Sequence, residues 1–116
     1  MNRRKYPRFQ VELRCVFVSD QYTGEGTVLD LAMQGCCMHS DTPVPQGMYV
    51  RVVITLLGQR APLPVELAVI RWSRERVFGV EFIRIADEQQ ARLRHYVQDL
   101  EQALMVMVPA TSTGQG

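Results

Sequence analysis

The sequence predicts a mainly β protein: six short antiparallel strands in a closed or nearly closed barrel, with one C-terminal α-helix packed against it. Three observations predict it. The clearest runs alternate apolar and polar residues at period two, as half-buried strands do. Clusters of Gly, Pro and Asp cut the first part of the chain into short lengths. After Ile83 the apolar spacing changes to that of one helix face. A block of strands before a single helix favours a barrel, and closing the sheet removes its exposed edges.

The first strand is expected over Phe9–Val18, where Phe9, Val11, Leu13, Cys15 and Phe17 alternate with Gln10, Glu12 and Arg14. Ser19 to Gly26 carries Asp20, Gly24 and Gly26 and reads as a turn. A second strand follows over Thr27–Leu31 and, after Gly35, a third over Cys36–His39. Pro43 and Pro45 mark a loop, because two prolines this close do not fit a central strand. Tyr49–Leu57 is rich in β-branched residues and reads as the fourth strand. Val65–Trp72 and Val77–Ile83 complete the set across a charged turn, with Gly79 hinting at a bulge or a close backbone approach. Asp87 followed by Gln90 has the form of a helix N-cap with a capping-box partner. Leu93, Tyr96, Val97, Leu100 and Leu104 then fall on one helical face. The organisation expected is a flexible basic arm over 1–8, a barrel plus helix over 9–108, and a disordered tail over 109–116.

A chain of 116 residues fits one domain that buries its core without metals or disulfides. Its net charge of +1 argues against long nucleic acid as the partner. Of its 13 Lys and Arg residues only Lys5 is lysine, a bias toward geometric recognition of phosphate or carboxylate. Cys15, Cys36 and Cys37 form neither a disulfide framework nor a zinc-ligand spacing, and read as buried reduced thiols. No window approaches the roughly 20 apolar residues of a membrane span, and no signal-like stretch follows the basic N-terminus. These features together lead to the expectation of a cytoplasmic protein.

Enzyme signatures are absent from the sequence. His39 and His95 lie on different elements without ligand spacing, and there is no nucleophile elbow, Walker loop or dinucleotide fingerprint. Neither a catalytic residue, a metal nor a cofactor is expected. A binding role has better support. Residues 3 to 8 read Arg-Arg-Lys-Tyr-Pro-Arg, an arm suited to an anion with flat rings. Asp30-Leu31-Ala32-Met33-Gln34-Gly35 links the second and third strands. Asp30 supplies an acceptor for a guanine edge or an anchor for an arginine, and Gly35 permits positive φ or close approach of a ligand.

The segments Arg4-Lys5-Tyr6-Pro7-Arg8 and Asp30 to Gly35 together resemble the two signature motifs of the PilZ domain family, RxxxR and [D/N]xSxxG. The resemblance extends from about Arg3 to the helix near Leu104, through the segments Val69-Ile70-Arg71-Trp72 and Phe78-Gly79-Val80-Glu81-Phe82. It implies a six-stranded PilZ-like split barrel and a receptor for the bacterial second messenger cyclic di-GMP. By that resemblance Arg4 and Arg8 bind phosphate and stack on or hydrogen-bond guanine. Arg3 matches an extra arginine of members that bind an intercalated ligand pair. Asp30 and Gly35 match the acidic and glycine positions, and Trp72 an aromatic position bordering the ligand. Ala32 stands where the motif has serine, so a hydroxyl worth about 0.5–1.5 kcal/mol is missing and weaker binding is expected.

The reading is therefore a non-enzymatic cyclic di-GMP receptor that clamps its arm on the ligand and offers a changed surface to a protein partner. A PilZ-like interaction module that binds no nucleotide, of the type used in type IV pilus assembly, is the main alternative. A small barrel binding single-stranded nucleic acid is a weaker one, with only Tyr6 and Trp72 offering stacking surface. The apolar run Leu104 to Val108 invites contact with a second copy or a partner, a homodimer through the C-terminal helix.

Overall fold

Alternation along the first strand decides which side of the sheet is inside. The computed structural model describes residues 7–113, with side chains as far as Leu104. Strand β1 (Phe9–Val18) turns Leu13, Cys15 and Phe17 into the core and leaves Glu12, Arg14 and Val16 outside. It is followed by β2 (Thr23–Leu31), β3 (Gly35–His39), β4 (Tyr49–Ile54), β5 (Leu63–Arg74) and β6 (Val77–Arg84); β4 alternates in the same way, while β5 carries register shifts that interrupt the pattern. The strands close into a barrel in the order β1-β2-β3-β6-β5-β4, every neighbouring pair antiparallel. The mainly β fold with one C-terminal helix is the one expected.

The barrel interior is apolar and closely filled. Val28, Leu31, Val52, Ile54, Leu63, Val65 and Ala68 are fully buried, and Phe17 meets Phe78 edge to face with centroids 6.4 Å apart. Ser40 is the one buried polar residue among those described. Its Oγ donates to the Glu25 carbonyl at 2.6 Å and accepts from the Thr42 N–H at 3.0 Å, so its burial leaves no unpaired group.

Helix α1 (Asp87–Thr113) lies across β5 and β1, with Leu93, Tyr96 and Val97 facing the barrel. Two polar contacts fix its position. Tyr96 Oη accepts from the Leu57 N–H at 3.3 Å. Arg92 donates to the Ala61 and Pro62 carbonyls at 2.6 and 3.0 Å and to Gln59 Oε1 at 2.7 Å, tying the β4–β5 loop to the helix.

Several boundaries differ from the sequence expectation. The turn before β2 is confined to Ser19–Tyr22, where the Ser19 N–H donates to the Tyr22 carbonyl and Ser19 Oγ accepts from Gln21 and Tyr22. Thr23 to Gly26, read as turn from its glycines, therefore pairs with β1. Strand β5 continues past Trp72 to Arg74. At the helix start the Gln90 N–H donates to the Ala86 carbonyl, so Ala86 is the N-cap. Asp87 and Glu88 instead occupy the first turn, where their charges suit the helix dipole. The helix also continues through Pro109 to Thr113, into the stretch expected as a disordered tail.

Candidate functional site

The β2–β3 connection places its residues by backbone bonds. The Ala32 N–H donates to the Gly35 carbonyl at 2.9 Å, and the Gln34 carbonyl accepts from the Phe82 N–H at 2.8 Å, which seats the turn against β6. Gly35 does not adopt positive φ. A Cβ at that position would collide with the Val80 carbonyl oxygen, so glycine is needed for β3 to lie close against β6. The expected close approach is real, but the approaching group is the protein's own strand.

Asp30 anchors the start of β1. Its Oδ1 accepts from Arg8 Nη1 at 2.7 Å and from the Cys37 N–H at 3.1 Å. Of the two roles open to this carboxylate, guanine acceptor or arginine anchor, the structure shows the second. Arg8 is held over the turn that carries Ala32 and Gly35. Arg3 and Arg4 lie outside the described residues.

Directly opposed residues form a row across the outer surface: Gln10 faces Asp30, Asp30 faces Cys37, Cys37 faces Gly79, and Gly79 faces Trp72. The Trp72 indole lies over Gly79 so closely that a Cβ there would fall inside the ring. The flat ring is thus laid on the sheet at the far end of this row from Asp30, with 43% of Trp72 still exposed. A register shift between Ile70 and Trp72 marks a bulge opposite Gly79. It turns Trp72 to the outer face that Arg71 already occupies by alternation from buried Ile70, and Arg71 Nε there donates to Glu81 Oε1.

Arg8, Ala32, Gln34, Gly35, Arg71, Trp72, Gly79, Val80 and Glu81 line one groove of about 360 Å³, and Asp30 stands at its edge through Arg8. Larger grooves of about 460 and 690 Å³ lie near His39 and Asp41, and one of about 510 Å³ is lined by Tyr49 and Arg51, but none of them contains a residue of the two motifs or Trp72. Of the candidates taken from sequence, Arg8, Ala32, Gly35 and Trp72 share this groove. Arg71, Glu81 and Gln34 were not singled out as site residues. Strict alternation puts Arg71 on the opposite face from Trp72, and only Gly79 hinted at the bulge that reverses this.

Ala32 is 4% exposed and offers only a methyl group to the groove. Burial raises the Cys37 thiol above its ordinary value and the Asp30 carboxylate adds to the effect, with Arg8 opposing it. Burial pushes Cys15 to about 12 and Cys36 well up, so both hold their protons at neutral pH and are poor nucleophiles. Among the described residues no group of three or more His, Cys, Asp or Glu is placed to hold a metal ion. No helix among them is long and apolar enough to cross a membrane.

A family model described as PilZ domain matches residues 2–99. Among solved structures, the PilZ domain of YcgR from Escherichia coli with c-di-GMP is similar at TM-score 0.70 and 16% identity, over 93% of this chain and 98% of that one. YcgR from Escherichia coli in complex with c-di-GMP matches at TM-score 0.74 and 17% identity, over 94% of this chain and 50% of that one. The inhibitor of motility MotI (DgrA) of Bacillus subtilis matches at TM-score 0.67 and 20% identity, over 88% and 53%. The chain thus spans about half the length of these two longer proteins. No curated protein sequence matches it.

Proposed function

The chain belongs to the PilZ domain family, and from that premise we propose that it is a non-enzymatic cyclic di-GMP receptor whose ligand occupies the groove between Arg8 and Trp72. One observation carries the reading. Arg8 from the first motif, Asp30, Ala32 and Gly35 from the second, and Trp72 from β5 converge on a single surface. Cyclic di-GMP has two phosphates and two purine faces. Arginine forks suit the phosphates and purine edges, and the exposed indole offers a stacking face. The YcgR structures similar to this chain hold c-di-GMP, which supports the same ligand class here.

Arg4, the other arginine of the first motif, joins Arg8 on the ligand in this reading, and Arg3 sets whether one or two ligand molecules bind. Ligand binding draws the arm over 1–8 against the barrel and changes the surface offered to a protein partner. The ligand class points to the bacterial cytoplasm as the working compartment. Exposed Leu104 marks where a second copy would meet the helix.

Calorimetric titration with cyclic di-GMP at low salt tests the function. Saturable binding at tens of micromolar or tighter is expected, and the Arg4→Ala, Arg8→Ala double variant should lose it. Absence of heat with the unaltered chain refutes the reading. Unchanged affinity in the double variant refutes the site.

A second reading rests on Ala32. Without the motif hydroxyl and with Arg8 already paired to Asp30, the chain would act as a PilZ-like interaction module indifferent to nucleotide. A partner captured equally well with and without cyclic di-GMP would favour it.

A further inference from the structure

Resting on the cyclic di-GMP reading, we propose that Arg71 determines base specificity by contacting the O6/N7 edge of the guanine stacked on Trp72. Glu81 is the residue that positions it. Three observations lead there. The bulge between Ile70 and Trp72 brings the indole to the outer face that Arg71 already occupies, a neighbourhood that strict alternation would forbid. Arg71 lines the groove, and its described bond to Glu81 uses Nε alone, which leaves the two terminal nitrogens of the fork for a ligand. Glu81 is itself fixed on β6, opposite Gly35 on one side and Val69 on the other, so the guanidinium is held at a defined place on the sheet.

The distances suit a ligand with two guanine ends. From Asp30 on β2 to Trp72 on β5 is three interstrand steps, roughly 14 Å along the sheet. Arg8 serves one end of the groove and Arg71 the other. A purine lying flat on the exposed part of the Trp72 ring presents its edge sideways, toward the neighbouring residue on the same face. Guanine offers two acceptors on its O6/N7 edge, which an arginine fork engages together. Adenine offers an acceptor and an amino donor there, and the donor repels the fork. Arg71 therefore favours guanine over adenine, whereas phosphate contacts made by the arm serve both bases equally.

Affinities of the full chain for cyclic di-GMP and cyclic di-AMP, measured for the unaltered protein, Arg71→Ala, Arg71→Lys and Glu81→Gln, test this. Arg71→Ala is expected to weaken cyclic di-GMP binding ~5- to 150-fold while cyclic di-AMP binding changes little, so discrimination collapses. Arg71→Lys keeps the charge without the fork and should lose discrimination as well. Glu81→Gln keeps an acceptor for Nε and removes a negative charge, so it should raise affinity for both ligands and leave their ratio intact. Unfolding curves superimposable on the unaltered protein's show that a variant is folded. Equal losses for both ligands, or a preserved ratio in Arg71→Ala, overturn the specificity role while leaving the receptor reading in place. Failure of the unaltered chain to bind cyclic di-GMP overturns both.

Discussion

Replacing Asp30 separates its two structural tasks, holding Arg8 and satisfying the Cys37 N–H. The Arg8 and Asp30 side chains are 39% and 27% exposed, so solvent screens the pair and about 0.2–1 kcal/mol is the appropriate range. The Cys37 N–H is partly buried, and leaving it without an acceptor costs about 1–2 kcal/mol more. Asp30→Ala should therefore destabilise the domain by about 1–3 kcal/mol, a fall in Tm of roughly 5–15 °C for a domain this size. Asp30→Asn keeps an oxygen for the Cys37 N–H and loses only the charge, so a drop of a few degrees is expected. Thermal unfolding by circular dichroism reads both variants. Binding should follow a related order, because Arg8 without its anchor must be ordered by the ligand. Asp30→Ala should bind cyclic di-GMP ~10- to 100-fold more weakly, in line with one charge-assisted bond of about 1.5–3 kcal/mol. Asp30→Asn should stay within about tenfold, in line with the asparagine the family motif tolerates. An Asp30→Ala variant as stable as the unaltered chain, or an Asn variant as unstable as the Ala one, would refute the anchoring role.

Other outcomes follow from the same geometry. Ala32→Ser restores the motif hydroxyl at the groove wall and should tighten cyclic di-GMP binding several-fold to about tenfold by calorimetry; unchanged affinity would mean the ligand does not reach this wall. Arg92→Ala removes the clamp between α1 and the β4–β5 loop and should lower stability by about 1–2 kcal/mol in urea unfolding, with cyclic di-GMP affinity unaffected. Cys15 is raised from 9.0 to about 12 in the folded protein, so the unfolded chain releases this proton first. Its contribution is complete below about pH 9 and is lost as pH rises toward 12, at up to about 1.4 kcal/mol per pH unit. Urea midpoints should fall between pH 9 and 10.5, and Cys15→Ala should make that slope shallower, with the raised Cys36 thiol keeping the remainder.

The fold was legible where burial is one-sided. The alternation from Phe9 to Val18 marks β1 to its ends, since one face of that strand meets the core and the other meets water. Gly24 and Gly26 look like turn residues in the sequence, yet they belong to β2, because the turn itself is closed by Ser19. Asp87 has the chemistry of an N-cap but serves as a first-turn charge, so the helix start lies one residue earlier, at Ala86, than the sequence predicts. In the site, the pairing of Arg8 with Asp30 follows from opposite charges on motifs that adjacent strands bring together. The neighbourhood of Arg71 and Trp72 is not legible in the sequence. Arg71 faces outward by alternation from buried Ile70, but Trp72 joins it on that face only through a single extra residue in β5, and a bulge leaves no periodic trace in sequence. Gly35 was recognised as a place of close approach, but only the packing of β3 on β6 shows what approaches it.

Trp72 is the only tryptophan in the chain and lies in the groove, so its fluorescence reports this surface alone. A titration with cyclic di-GMP followed by that signal is the most direct test of ligand binding at this site. A saturable change is expected with the affinity found by calorimetry, and it should be absent in the Arg4→Ala, Arg8→Ala variant. A flat signal while calorimetry reports binding, or an equal response in that variant, would contradict the placement of the ligand between Arg8 and Trp72.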